Sequence, residues 1–191
     1  MTQHKFGFIL GRFQNVHIGH EYLIETALHS CEHIVVLIGS AQVEGTVRNP
    51  LPMQLRLDML KEIYGDHPRV HIGFLNDLTN ENDHSTMWGQ YVLDHARSWG
   101  KYFGLPHALD TMIMGNDEER NLWFEEEQLK GIEQIVVPRD RVDISATKMR
   151  AFILDGDMKQ WSSFTNKKLH AYFPILKEKL LSIQDGSIEV E

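Results

Sequence analysis

Residues 11–20 read Gly11-Arg12-Phe13-Gln14-Asn15-Val16-His17-Ile18-Gly19-His20 and stand between two patterned segments. The apolar run 6–10 precedes them, and apolar residues recur at helical spacing over 23–28. The pattern predicts a strand, a tight turn and a helix. Such a turn leaves the first backbone N–H groups of the helix unpaired, and these groups bind anions such as phosphate.

The rest of the chain repeats this alternation of short apolar runs and amphipathic stretches, which predicts an α/β fold. We expect a Rossmann-like doubly wound parallel sheet with C-terminal helices, in one domain over 1–184 followed by a frayed acidic tail over 185–191. The predicted strands are Phe6–Leu10, His33–Gly39, Val70–Leu75, Thr111–Gly115 and Ile132–Val137. The predicted helices cover about 23–28, 53–64, 86–102 and 145–154, and a last helix opens at Pro174.

Composition narrows the class of protein. Of the 191 residues, 42% are hydrophobic and 24% are charged, which is ordinary for a globular domain. The net charge of -8 argues against a broad nucleic-acid surface, and the single Cys31 excludes an intrachain disulfide and a multi-cysteine zinc site. No apolar run approaches the roughly 20 residues of a membrane helix, and the N-terminus lacks a signal-peptide pattern. We therefore expect a cytoplasmic protein without nucleic-acid or membrane partners.

His17 and His20 are three residues apart at the start of the first helix. This spacing lets both imidazoles face one anion, while Gly11 and Gly19 permit close approach of the backbone. The alternatives are two incidental surface histidines or half of a metal site. Their position directly after a strand favours a pair of phosphate donors.

Residues 11–20 resemble the GRF-x-x-x-H-x-G-H signature of the nucleotidyltransferase superfamily, whose members transfer a nucleoside monophosphate from a nucleoside triphosphate. Ile144-Ser145-Ala146-Thr147-Lys148-Met149-Arg150 resembles the I-S-x-T-x-x-R motif of the same superfamily. Ser145, Thr147, the helix amides and Arg150 could hold a polyphosphate at this second helix start. Alone, the second motif would be an ordinary N-capped amphipathic helix.

Within the superfamily, the chain is most similar to nicotinamide-mononucleotide (NMN) adenylyltransferases of the archaeal type. The similarity includes Gly39-Ser40-Ala41-Gln42, Arg48-Asn49-Pro50 and Trp88. It implies that Trp88 stacks on the nicotinamide ring, that Arg48 contacts ATP phosphate, and that the Gly115-Asn116-Asp117 turn lies near the nucleotide. Segment 79–85 and the turn at 115–119 look more like versions fused to a Nudix hydrolase, although this sequence has no Nudix box.

The resemblance implies a Mg²⁺-dependent enzyme that joins ATP and NMN to form NAD and pyrophosphate. We expect ATP and NMN as its small-molecule partners, and a homo-oligomer; the metal ligands are not assigned. The implied catalytic residues are His17, His20 and Arg150. The implied ATP-binding residues are Gly11, Arg12, Phe13, Gly19, Arg48, Gly115, Asp117, Ser145 and Thr147. The implied NMN-binding residues are Gln42, Asp77 and Trp88.

Several of these positions have a second interpretation. Trp88 could be a core anchor, Asp77 and Asp117 could be loop caps or could help to place a metal, and Arg12 could form a surface ion pair. Two further functions also stay open. One is another transferase of this superfamily, acting on nicotinate mononucleotide, phosphopantetheine, FMN or a cytidylyl substrate. The other is a catalytically silent nucleotide sensor.

Overall fold

The computed structural model describes residues 3–80, 85–116, 120–138, 142 and 144–186. Its strands are β1 (His4–Gly11), β2 (Cys31–Ile38), β3 (Val70–Phe74), β4 (Thr111–Gly115) and β5 (Glu133–Val137). Its α-helices are α1 (Ile18–Ser30), α2 (Met53–Tyr64), α3 (Thr86–Tyr102), α4 (Ala146–Asp155), α5 (Met158–Ser163) and α6 (Phe173–Gly186). Short 3₁₀ helices cover Arg120–Trp123, Glu126–Leu129 and Lys167–Tyr172.

The five strands form one parallel sheet in the order β3-β2-β1-β4-β5. The predicted α/β fold with a doubly wound parallel sheet is confirmed. The chain moves outward from β1 to β2 and β3, then returns to the other side of β1 for β4 and β5. In sheets of this kind, ligands bind at the carboxyl ends of the strands where the winding direction reverses. That point lies between β1 and β4.

The sheet is covered on both faces because neighbouring residues of a strand point to opposite sides. In β1, Phe8 and Ile9 are both fully buried. Ile9 belongs to a core layer that includes apolar side chains of α1, α2, α4 and α6, and Phe8 belongs to a second layer that includes those of α3. These two layers hold the strand ends in place.

Helix α3 runs over the full predicted range despite an internal glycine, Gly89. A Cβ on Gly89 would stand 1.9 Å from the carbonyl oxygen of Trp123. The glycine therefore allows the segment after β4 to lie directly against the helix. Among the described residues, no helix has the length and apolar character that a membrane span requires.

The C-terminal helices follow the predicted start and stop signals closely. Ser145 caps α4 by accepting the backbone N–H of Lys148, and Gly156 ends this helix with a left-handed φ of 74°. Pro174 is the second residue of α6, and the helix continues to Gly186, so it includes the first two residues of the predicted tail. The short helix α5 was not predicted.

Candidate active site

His17 caps the N-terminus of α1 with its own side chain. Its Nδ1 atom accepts the backbone N–H of Gly19 over 3.1 Å, and Nδ1 of His20 accepts the backbone N–H of His17 over 3.4 Å. The two rings stack with centroids 3.9 Å apart. A Cβ on Gly19 would lie 2.9 Å from Cε1 of His17, so Gly19 makes room for this imidazole. Both histidines are thus held by the start of the helix.

These contacts determine which ring nitrogens carry protons. An Nδ1 atom that accepts a backbone N–H has no hydrogen, so each neutral imidazole carries its hydrogen on Nε2. Phe13 is buried behind the pair, with its ring centroid 5.0 Å from that of His20. The two stacked rings therefore each carry an Nε2–H group, and their role as phosphate donors stays a prediction.

The histidines line a cleft at the point where the winding of the sheet reverses. Gly115 ends β4, and Pro138 follows β5. Ile144, just before α4, adjoins the other side of the cleft, because its Cγ2 lies 3.5 Å from the position of a Cβ on Gly19. The cleft thus joins the two sequence motifs, and its lining residues are His17, Gly19, His20, Tyr22, Leu23, Gly115, Val137, Pro138, Val142 and Ile144.

The start of α4 presents polar side chains next to this cleft. Ser145 and Thr147 are exposed, and Arg150 is half-buried. The guanidinium of Arg150 donates to the hydroxyl of Thr147 over 3.3 Å, while the hydroxyl of Ser145 accepts a helix amide. The start of α4 therefore combines the positive end of a helix with a nearby cation, which suits a bound anion.

Arg12 and Arg48 lie together on the other side of β1. Arg12 follows the last residue of β1, and its guanidinium donates to the carbonyl of Arg48 over 3.5 Å. Behind them, the buried Gln14 donates to the side chain of Asn49 over 3.1 Å and accepts the N–H of Leu51 over 2.8 Å. This buried amide pair fixes the segment that carries Arg48.

Gln42 and Asp77 join the loops after β2 and β3. The backbone N–H of Asp77 donates to the side-chain oxygen of Gln42 over 3.0 Å, and the Gln42 amide donates back to the Asp77 carbonyl over 3.4 Å. The carboxylate of Asp77 accepts the hydroxyl of Ser40 over 3.0 Å. The structure therefore brings two of the three predicted NMN-binding residues, Gln42 and Asp77, together at the carboxyl edge of the sheet.

Trp88 lies at the start of α3 and is only 6% exposed. Its ring stacks on Tyr91 with centroids 5.5 Å apart, and the ring of Trp123 approaches it edge-on. Trp88 belongs to the core layer beneath the end of the sheet. In this conformation the indole is a packing residue, and stacking on a ligand would require a neighbouring ring to move.

Asp117 lies outside the described residues. Arg56 is not among the predicted site residues, although it is fully buried in α2 at the carboxyl edge of the sheet. Its position three residues after Met53 and four before Leu60 places it on the apolar face of the helix, a signal that the sequence does contain.

The described residues contain no cluster of three or more His, Cys, Asp or Glu side chains arranged to hold a metal ion. The predicted site residues provide N–H donors and guanidinium groups. Among those that the structure describes, Asp77 is the carboxylate. This donor set suits phosphate. It also fits a Mg²⁺ ion that is carried by nucleotide phosphates and keeps most of its water molecules.

A doubly wound sheet with two polar helix starts at its carboxyl edge is the architecture expected of a nucleotidyltransferase. Residues 8–164 match the cytidylyltransferase-like family, and the chain belongs to it. A solved structure of a bifunctional NMN adenylyltransferase/ADP-ribose pyrophosphatase from Francisella tularensis, in complex with AMP and a manganese ion, has the same fold. The TM-score is 0.70 at 17% identity over 97% of this chain. The chain spans about half the length of that protein, 54%.

Curated relatives narrow the assignment within the family. The nicotinamide-nucleotide adenylyltransferase of Thermococcus kodakarensis is 30% identical over 80% of this chain and 74% of its own length. The nicotinamide-nucleotide adenylyltransferase of Saccharolobus solfataricus is 33% identical over 90% of this chain and 91% of its own length. The chain is thus a homologue of the nicotinamide-nucleotide adenylyltransferases, as the sequence motifs predict.

Proposed function

We propose that this chain transfers the adenylyl group of ATP to NMN, forming NAD and releasing pyrophosphate. The observation that carries the proposal is the pair of stacked imidazoles at the start of α1. Their Nδ1 atoms accept backbone N–H groups, which leaves two Nε2–H donors on rings that line the cleft between β1 and β4. Donors arranged in advance around a phosphoryl group are the main requirement for this chemistry.

In the reaction, a 5′-phosphate oxygen of NMN attacks the α-phosphorus of ATP. The bond from the α-phosphorus to the oxygen that bridges to the β-phosphorus breaks, and pyrophosphate leaves with that electron pair. The attacking phosphate is already ionised near neutral pH, so no general base is needed. The protein has to align two phosphates and stabilise the charge that develops on the transferred group.

Each part of the site has a task in this scheme. His17 and His20 donate to the oxygens of the α-phosphoryl group, and Gly11, Phe13, Gly19 and Gly115 shape the cleft around the nucleotide. Arg12 and Arg48 bind phosphate oxygens from the side of β2. Ser145, Thr147 and Arg150 bind the polyphosphate that leaves, as the proximity of Arg150 to Thr147 supports. The assignment of Asp117 to the ATP site stays a prediction.

NMN would lie at the carboxyl ends of β2 and β3. Asp77 can accept ribose hydroxyls, and Gln42 holds the loop that carries it through two hydrogen bonds. A positively charged pyridinium gains about 0.5–2 kcal/mol over an indole face, which supports Trp88 as its stacking partner. Because the indole is only 6% exposed and stacks on Tyr91, this stacking would require a neighbouring ring to move.

We propose Mg²⁺ as the metal cofactor. Bound to the phosphates of ATP, it would neutralise part of their charge and assist departure of pyrophosphate. Asp77 is the described carboxylate that could hold a water molecule of its hydration shell. A homo-oligomer and a cytoplasmic location also remain predictions.

A substrate panel tests the proposal. The protein, with ATP and Mg²⁺, is mixed separately with NMN, nicotinate mononucleotide, phosphopantetheine and FMN, and pyrophosphate and the dinucleotide product are measured; a parallel CTP assay covers cytidylyl transfer. We expect NMN to give NAD and an equal amount of pyrophosphate. A different preferred substrate would reassign the enzyme within its family. ATP binding by calorimetry without turnover on any substrate would identify a nucleotide sensor instead.

A further inference from the structure

Arg56 lies in α2 with its side chain fully buried. Its Nη1 atom donates to the carbonyl oxygens of Arg12 and Gly39, each over 2.9 Å, and Nη2 donates to the carbonyl of Ser40 over 3.1 Å. These carbonyls belong to the turn after β1 and the turn after β2. One guanidinium therefore joins the turn that carries Arg12 to the turn that carries Ser40.

Both turns contain a residue in an unfavourable backbone conformation. Phe13 has φ 49° and Ser40 has φ 46°, and they are the two non-glycine residues with positive φ among the described residues. Residues with a Cβ disfavour this region, and a bulky phenylalanine is rare there. The Arg12 carbonyl forms the peptide bond that precedes Phe13, and the Gly39 and Ser40 carbonyls flank Ser40. Arg56 thus holds the peptide groups next to each unfavourable residue.

The two turns place side chains that the proposed reaction uses. The turn after β1 directs the guanidinium of Arg12 toward the Arg48 segment, and it continues to the buried Phe13, which packs on His20. The turn after β2 sets the hydroxyl of Ser40 against the carboxylate of Asp77. A change in either turn would therefore move groups that contact the two substrates.

The charge of Arg56 also matters at this position. Among the described residues, no carboxylate forms an ion pair with it, although Asp77 is close enough to favour its charged form. Burial, and then the nearby Arg12 guanidinium, lower the pKa of Arg56 to about 10, so the group stays protonated at neutral pH. A fixed positive charge behind both turns attracts anionic substrates to this end of the sheet.

We propose that Arg56 is a positioning residue of the adenylyl transfer, which holds the turns after β1 and β2 so that Arg12 and Asp77 meet the substrates in the productive geometry. This inference rests on the proposed function. Because its side chain is fully buried, Arg56 would act on the substrates only through the residues that these turns carry. A lysine would keep the charge but could not span three carbonyls with a planar fork.

The test is a double-mutant cycle with Arg56→Lys and Arg12→Ala. We expect Arg56→Lys to lower kcat by about 30-fold or more and to raise the KM for ATP severalfold, because the misplaced Arg12 would bind ATP phosphate less well. In the Arg12→Ala background the same change should lower kcat by less than about threefold, because its effect passes largely through Arg12. A purely structural role would lower activity by the same factor in both backgrounds, which would overturn the proposal, as would full activity of Arg56→Lys.

Arg69→Lys is the matched control. Arg69 is a half-buried arginine that donates to the carbonyl of Leu28 over 3.2 Å, and it precedes β3, at the opposite edge of the sheet from the site. The kcat of Arg69→Lys should stay within about threefold of the parent value. Should Arg56→Lys not fold, the neutral Arg56→Gln, which avoids burial of an unsatisfied charge, carries the same cycle with the same criteria.

The positioning role of Arg56 and the proposed adenylyl transfer can fail independently of each other. If the parent protein does not turn over ATP and NMN, the proposed function fails, and the cycle is then measured on the Kd of a non-hydrolysable ATP analogue. Weaker binding caused by Arg56→Lys in the parent and not in the Arg12→Ala background would still support the positioning role. Equal binding by all variants would contradict it.

Discussion

The backbone N–H of His17 donates to Nδ1 of His20 over 3.4 Å, and the two imidazoles stack at 3.9 Å. The first turn of α1 thereby orients both Nε2–H groups with its own backbone. Because both histidine side chains are already held by the helix start, the proposed binding of a phosphate would require little rearrangement. A substitution that keeps an acceptor for the backbone N–H group can therefore remove an imidazole without loss of the helix cap.

His20→Asn should lower kcat by about 100-fold, because a donor of this type contributes about 2.7–4 kcal/mol in the transition state. The asparagine oxygen can replace Nδ1 as acceptor for the His17 amide, so thermal stability should change little. Pyrophosphate release and a melting curve measure the two effects. A kcat close to that of the parent protein would remove His20 from the chemistry. His17→Asn should behave similarly, with part of its loss in ATP binding.

Arg150→Ala should raise the KM for ATP roughly tenfold and leave the KM for NMN nearly unchanged, because the proposed site places Arg150 against the polyphosphate of ATP and away from NMN. Arg97→Ala is the control, since Arg97 is exposed on α3 and pairs with Asp94. It should change neither constant. Equal effects of Arg150→Ala on the two substrates would place this residue elsewhere.

Trp88→Ala should cost about 3–5 kcal/mol of unfolding free energy, because the indole is buried in the core. Trp88→Phe retains much of the packing, and we expect it to raise the KM for NMN severalfold while the KM for ATP stays constant. Trp161→Phe, at a fully buried tryptophan of α5, is the control for packing alone. A stability loss in Trp88→Phe without a selective NMN defect would assign Trp88 to the core only.

His71 should make stability depend on pH. Its ring contacts that of His33, with the nitrogens 3.3 Å apart, and burial together with His33 lowers the pKa of His71. The unfolded chain then binds a proton more readily, so this contribution to stability is full above about pH 6.5 and is lost as the pH falls below it.

The check is the difference in melting temperature between about pH 7.5 and about pH 5.5. We expect His71→Gln to show a smaller decrease than the parent protein. His29→Gln, at an exposed position of α1, should retain the full decrease. An unchanged decrease in His71→Gln would assign the pH dependence to other groups.

Cys31 should react with a thiol reagent only when the protein unfolds. Its side chain is fully buried at the start of β2, and burial raises the pKa of the thiol to about 12. Because the thiolate is the reactive form, the native protein should resist labelling at neutral pH. Absorbance with an aromatic disulfide reagent, with and without denaturant, measures this. Rapid labelling of the native protein would contradict the burial.

Local patterns in the sequence were sufficient for most of the secondary structure. Thr111–Gly115 and Met53–Tyr64 have the predicted bounds because apolar spacing and flanking polar residues act over a few positions. Ser145 begins α4 through its side-chain cap, and Gly156 ends the helix through its positive φ angle. Helix α5 was missed because six residues are too few to establish a helical period.

Long-range packing decided the rest. Whether Trp88 faces a ligand or the core depends on Tyr91 and Trp123, and the second of these lies 35 positions away in the sequence. The role of Arg56 depends on carbonyl groups of two other turns, at separations of 44, 17 and 16 residues. The sequence alone determined which side chains could bind phosphate. The folded sheet brings the ends of β1, β2 and β4 to one edge. Only this arrangement decided which of those side chains share a site, and that the buried Arg56 holds two of the turns that carry them.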